Sequence, residues 1–401
     1  MNSCNFRTPE LLPNSITPKL KNLQTHKLKN SPTEYRIMKK IFLCFAFLLT
    51  LLTVEARDYN YVRAHDKRIA YVGRVSVSAA TGTAKWTYPG VQIHCVFEGT
   101  SVSMKTNPGS GFYVINIDDE RPFKVESQQD GDSLVFIADG LDDTSHRLTI
   151  TYCQEGLLRK PVFYGLYLDP DRTLGQRPVL PKRKMEFIGN SITCGYGIEG
   201  NGSEKKFSYS QQNITLTYGA LTAQAFGAQY MVVARSGIGI YRNNNGNVNG
   251  DRVVMPALYP FTQFGTTGER WDFSRYQPDV VCVNLGTNDT TNPRYINSKL
   301  ADAFKRFVRT LRNHYPHAKI VLLTGTMISG QRLADVKAAQ QAAVDDARSR
   351  GDREVYRFDF DPADGTYGYG THRHPSARQH AHMADQLIPF IQRITGWDLE
   401  R

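Results

Sequence analysis

Met185-Glu186-Phe187-Ile188-Gly189-Asn190-Ser191-Ile192-Thr193 is the stretch on which the reading of this chain turns. Met185 to Ile188 make a short apolar strand, Gly189 interrupts it, and a serine follows two residues later. A serine just past an apolar strand, beside a glycine, sits in an exposed turn at the edge of a sheet. The bland alternative is a helix N-cap, a position that Ser favours. From these nine residues alone both readings stay open.

Downstream the pattern keeps alternating. Leu216–Phe226 reads as a helix with Ala on one face, and Gln229–Ala234 and Asp279–Leu285 as apolar strands. Tyr295–Tyr315 is an amphipathic helix ended by Pro316. Lys319–Thr324 is a strand, Gln331–Arg350 an Ala-rich helix, Glu354–Asp359 a strand and Ser376–Ile394 a closing helix. Strands alternating with helices predict a parallel sheet covered on both faces. Function in such sheets gathers at the carboxyl ends of the strands.

Upstream, residues 58–168 read as β throughout, with about eight short alternating segments punctuated by turns such as Asp130-Gly131-Asp132. That spacing predicts an all-β sandwich of the jelly-roll kind. Residues 169–184 hold three prolines and alternating charge, and read as a linker to a second domain over 185–401. A chain of 401 residues exceeds one ordinary core, so two domains are expected.

The net charge of +11 is concentrated at the N-terminus, where residues 1–57 hold nine Lys or Arg against three Glu. That leaves +5 for the rest, a solubility charge and not a nucleic-acid footprint. Lys39-Lys40, the apolar run Ile41–Leu52 and the small residues around Val54-Glu55-Ala56 make an export signal over 38–56. The run is short for a bilayer span, so no stable membrane anchor is expected and the protein is secreted or periplasmic. Residues 1–37 are polar and precede a Met that begins this complete signal, which predicts a non-native upstream extension. N-terminal sequencing of the precursor tests that. Export permits disulfides, yet Cys95, Cys153, Cys194 and Cys282 are too few and scattered for a scaffold. A Cys95–Cys153 bridge and buried free thiols both remain open.

The strand ends carry the chemistry. Beyond Ser191, the second strand runs into Ser236-Gly237-Ile238-Gly239, where glycines leave backbone N–H groups open to a ligand. The third runs into Gly286-Thr287-Asn288-Asp289, whose Asn288 amide can donate to an oxyanion, although an Asx turn is the plainer reading. The last loop carries His372-Arg373-His374-Pro375-Ser376, and a histidine suits the task of base to a serine. His380 and His382 lie two apart on a helix and face different ways, which argues against a metal; no cofactor is implied.

Together, Gly189-Asn190-Ser191, Ser236-Gly237 with Gly239, Gly286-Thr287-Asn288-Asp289 and His374-Pro375-Ser376 resemble the SGNH hydrolase superfamily. The longer runs Gly189–Gly197 and Ser236–Asn243, with His380, resemble carbohydrate esterase family 2. That resemblance implies a three-layer, flavodoxin-like α/β domain behind a β-sandwich, and removal of O-acetyl groups from xylan and glucomannan. It implies Ser191 as nucleophile and His374 as base. It also implies an oxyanion hole from the N–H groups of Ser191 and Gly237 and the amide of Asn288. Superfamily members place an Asp two or three residues before the histidine, where this chain has His372 and Thr371. Asp361 and Asp364 are candidate orienters, but a dyad with a backbone carbonyl in that role is the favoured reading. Tyr241, Arg242 and Trp271, in the long segment between the second and third strands, are candidate sugar contacts. The competing readings are an exported lipase or thioesterase on this scaffold, and a non-catalytic carbohydrate-binding protein. Oligomeric state is not legible.

Overall fold

In the computed structural model, residues 58–131 and 133–400 are described. The expected extension (1–37) and export signal (38–56) lie outside the described residues.

Strand alternation builds the first layer pair. The strands are β1 (Asn60–Arg63), β2 (Ala70–Val72), β3 (Ser76–Ser78), β4 (Thr83–Lys85), β5 (Gln92–Gly99) and β6 (Val102–Thr106). They continue with β7 (Gly111–Ile117), β8 (Phe123–Ser127), β9 (Leu134–Ala138), β10 (Thr144–Tyr152) and β11 (Val162–Leu168). One sheet runs β3-β4-β11-β6-β9 with β1 added on β11, and the other runs β2-β5-β10-β7-β8. Along β10, His146, Leu148, Ile150 and Tyr152 point inward, the period of two that a half-buried strand requires. Trp86, Ile93, Phe97, Met104, Ile115 and Leu166 share this core between the sheets.

No bridge joins Cys95 to Cys153; both are free and buried. Cys95 faces Leu148 across the β5–β10 ladder, and Cys153 lies five residues beyond Leu148. At a strand rise of ~3.4 Å that is about 17 Å, far outside disulfide reach.

The second half begins with β12 (Lys184–Gly189) and a one-turn helix, α1 (Ser191–Cys194). There follow α2 (Tyr218–Ala225), β13 (Gln229–Ala234), the short α3 (Met255–Leu258), β14 (Val280–Asn284) and α4 (Asn297–His314). β15 (Lys319–Thr324), α5 (Gly330–Ser349), β16 (Val355–Asp359) and α6 (Ala377–Thr395) complete the chain. All five strands are parallel in the order β13-β12-β14-β15-β16, the flavodoxin-like 2-1-3-4-5 arrangement. Every residue of β14 is buried, as a strand covered on both faces demands. α4 turns Leu300, Phe304, Phe307, Val308 and Leu311 onto one face of the sheet, beside Val336, Ala343 and Ala347 of α5. α2 and α6 cover the other face through Tyr218, Ala223, Met383, Leu387 and Ile391.

The two halves are locked together. Arg74 of the sandwich is fully buried and reaches Glu186 of β12 at 3.4 Å. It also donates to the carbonyls of Tyr259 and Phe261, and Tyr259 donates its hydroxyl to the same Glu186 at 2.8 Å. Segment 169–184 is itself pinned: Leu174 bridges to Phe97 and is buried, and Arg183 donates to the carbonyls of Phe226 and Asp398.

Candidate active site

β12 aligns Gly189 with Ala234 of β13 on one side and Asn284 of β14 on the other. Three loops therefore leave the sheet side by side at the point where strand order reverses, where open α/β sheets bind ligands. Gly189 is required there, since a Cβ would come 2.1 Å from Thr193 Oγ1. Asn190 caps α1 by accepting from the Ile192 N–H at 3.0 Å, and Gly195 ends the turn at φ 71°. Ser191 is thus the first residue of a helix, and its N–H has no intrahelical partner.

His374 arrives on the loop between β16 and α6, and its Nε2 lies 2.9 Å from Ser191 Oγ. The loop is held by the Gly370 N–H donating to His374 O at 2.8 Å, the Ser376 hydroxyl donating to Tyr367 O, and left-handed His372 and Arg373. Tyr196 packs on the imidazole at 4.5 Å between centroids and stacks on Phe207 at 3.9 Å. Burial pushes the His374 pKa down to about 4, while the carbonyls of Thr371 and His372 pull it up and the His372 ring pushes it down. Nδ1 closes no hydrogen bond of good geometry. Neither candidate carboxylate reaches it: exposed Asp361 pairs with Gln386, and exposed Asp364 accepts from the Thr366 N–H.

Ser191 and His374 line a cavity of about 470 Å³ with Gly237, Asn288, Tyr196, Ser236, Asn244, Thr287, Thr291, Met327, Arg332 and His372. Gly237 holds φ +76°, a left-handed conformation that other residues adopt only with strain. Asn288 donates Nδ2 to Ile238 O at 2.8 Å, which orients the amide and leaves its second N–H. Asp289 is buried and accepts from the N–H groups of Ile240, Tyr241 and Arg242, so it braces the second loop.

The three candidate sugar contacts lie elsewhere, and that expectation is corrected. Tyr241 is buried and its hydroxyl accepts from the Ile296 N–H. Arg242 is buried and does not line the cavity. Trp271 packs with Val72, Met231 and Tyr276 between the two halves, under the guanidinium groups of Arg74 and Arg275. The long segment carrying them folds back into core, which its apolar side chains require. Tyr196, Asn244, Thr291, Met327 and Arg332 are the wall residues that sequence reasoning missed. Tyr196 stood inside the quoted Gly189–Gly197 run, whereas Met327 and Arg332 follow a strand end that carries no motif.

A hydroxyl 2.9 Å from an imidazole held neutral can pass its proton to that ring, and donors on two sides of the same cavity can receive an oxyanion.

Comparison with known proteins identifies the family of each half of the chain. The model for the carbohydrate esterase 2 N-terminal domain matches residues 71–178, and that for the GDSL-like lipase/acylhydrolase family matches residues 187–382. The cellulase/esterase CelE of Acetivibrio thermocellus is 33% identical over 342 residues, covering 85% of this chain but only 41% of that protein. An acetylxylan esterase/glucomannan deacetylase of Cellvibrio japonicus is 31% identical over 342 residues, covering 84% of this chain and 91% of the relative. Among solved structures, a family two carbohydrate esterase from Clostridium thermocellum in complex with cellohexaose is 33% identical at TM-score 0.75, over 82% of this chain and 99% of that one.

Proposed function

The chain belongs to carbohydrate esterase family 2 and is a carboxylic ester hydrolase, and we propose that it is exported and deacetylates plant-cell-wall xylan and glucomannan through an acetyl-Ser191 intermediate. The observation that carries the proposal is the 2.9 Å contact between His374 Nε2 and Ser191 Oγ in a cavity that Gly237 and Asn288 also line.

His374 takes the Ser191 proton as Oγ attacks the acetyl carbonyl carbon, and the carbonyl π pair moves onto oxygen. The N–H groups of Ser191 and Gly237 and the Asn288 amide hold that oxyanion. Its collapse expels the sugar oxygen, which takes the proton from the imidazolium. Water then gives a proton to His374 and attacks the acetyl-serine, and acetate leaves with Ser191 restored. The histidine works as half of a dyad, packed against the Tyr196 ring, with the Thr371 and His372 carbonyls beside it favouring the imidazolium as it forms.

The test is acetate release from acetylated xylan and glucomannan by the chain and by its Ser191→Ala variant. Release that vanishes with Ser191 is expected. Release that persists in the variant, or that is absent from both, rejects the proposal.

A further inference from the structure

We propose that Glu155, a residue of the β-sandwich, is a positioning residue for the oxyanion hole of the adjoining hydrolase domain. The inference rests on the esterase reading above. Glu155 sits on the loop between β10 and β11 and is only 5% exposed. Its Oε1 accepts the backbone N–H of Ser236 at 2.6 Å, and its Oε2 accepts the Ser236 hydroxyl. Gln212 Nε2 also approaches Oε2, and the same nitrogen donates at 3.0 Å to the carbonyl of Cys194, the last residue of α1. One carboxylate from the sandwich thus touches the loop that carries Gly237 and the group that braces the nucleophile helix.

The adjoining peptide, from Ser236 to Gly237, carries the N–H offered to the oxyanion. Gly237 has no side chain to hold it, and the space where a Cβ would stand is empty to 4 Å. Its orientation depends on bonds at either end: Asn244 N–H to Gly237 O at 2.9 Å on one side, and the two Ser236 bonds to Glu155 on the other. A carboxylate suits this place because both its oxygens accept, while an amide keeps one acceptor for the Ser236 N–H and meets the hydroxyl with a donor, so the hydroxyl must turn to accept and the charge-assisted bonds are lost. The Glu155 loop is itself anchored, by Gly156 N–H to Thr87 O at 2.8 Å and by Ile214 N–H to Cys153 O at 3.1 Å.

The experiment compares the full chain with Glu155→Gln, Ser236→Ala and the double variant. It measures kcat and KM on acetylated xylo-oligosaccharide and the affinity of methylboronic acid, whose tetrahedral adduct on Ser191 places an oxygen in the oxyanion hole. The expected result for Glu155→Gln is a fall in kcat of tenfold or more, KM within twofold, and boronate affinity weakened by a similar factor. The double variant is expected to be no worse than Glu155→Gln, because both changes break one contact. Unchanged kcat, or a lower melting temperature with unchanged boronate affinity, reduces Glu155 to interdomain packing and overturns the proposal. If Glu155→Gln does not fold, Ser236→Ala reads the same clamp from its other end, and wild-type kcat in that variant overturns it. A wild-type chain that neither hydrolyses acetyl esters nor binds the boronate defeats the esterase reading itself.

Discussion

Asn288 hands one of its two amide N–H groups to the carbonyl of Ile238 at 2.8 Å, and so joins the loop after β14 to the loop after β13. The bond fixes the side chain without consuming it, because the second N–H remains for a ligand. Asp289 repeats the tie from the next position by collecting three backbone N–H groups of Ile240, Tyr241 and Arg242. The second and third motif loops are therefore one rigid unit.

From this follows a loss of ~10²–10³ in kcat for Asn288→Ala, the usual effect of removing one oxyanion donor. KM on acetylated oligosaccharide should stay within a few fold. A variant that instead raises KM at constant kcat would make Asn288 a ground-state binding group.

Asp361→Ala and Asp364→Ala should each leave kcat within about threefold of wild type, whereas loss of a triad carboxylate costs ~10⁴. Both side chains are committed elsewhere, to Gln386 and to the Thr366 N–H. Steady-state kinetics on the two variants decide between a dyad and a triad.

The parallel-sheet half was legible because its strands are short apolar runs and its helices keep one apolar face. Gln229–Ala234 and Lys319–Thr324 fall where the pattern put them, and the helices agree within about two residues. In the sandwich, about eight segments were legible against eleven strands, since strands of three or four residues such as β1, β2 and β4 are too short to show a period of two. Ser191 and His374 were legible because each stands in a run of unusual composition at a strand or loop end. Glu155 was not: it lies on a sandwich loop 81 residues before the serine whose groups it accepts. No local pattern marks a contact closed only by the packing of two domains.

Trp271→Ala should cost stability and spare the chemistry. The indole is 5% exposed and packs between the two halves, with Arg74 and Arg275 over its ring. Emptying such a site costs ~3–5 kcal/mol. Thermal unfolding should shift down, while kcat and KM of the folded protein at low temperature hold. A rise in KM with unchanged melting temperature would restore the sugar-binding reading of this residue.

The acid limb of activity should lie unusually low. His374 must be neutral to take the serine proton, and burial holds its pKa at about 4 against an unperturbed value near ~6.5. kcat/KM, measured in short assays, should therefore stay level from neutrality down to about pH 4 and fall about tenfold per unit below it. Stability moves in the same direction for a different reason. His94, His374 and His380 are kept neutral by burial, with pKa values of about 4, about 4 and about 3. Below ~6.5 the unfolded chain binds protons that the native state refuses, so each histidine withdraws about 1.4 kcal/mol per pH unit until its native pKa is reached. His146, raised by Asp118, acts with the opposite sign and offsets part of the loss. His94→Gln separates the two effects: it should lessen the acid sensitivity of unfolding and leave the limb in kcat/KM where it was. A limb that moves with that distant substitution would show that the profile reports unfolding and not the base.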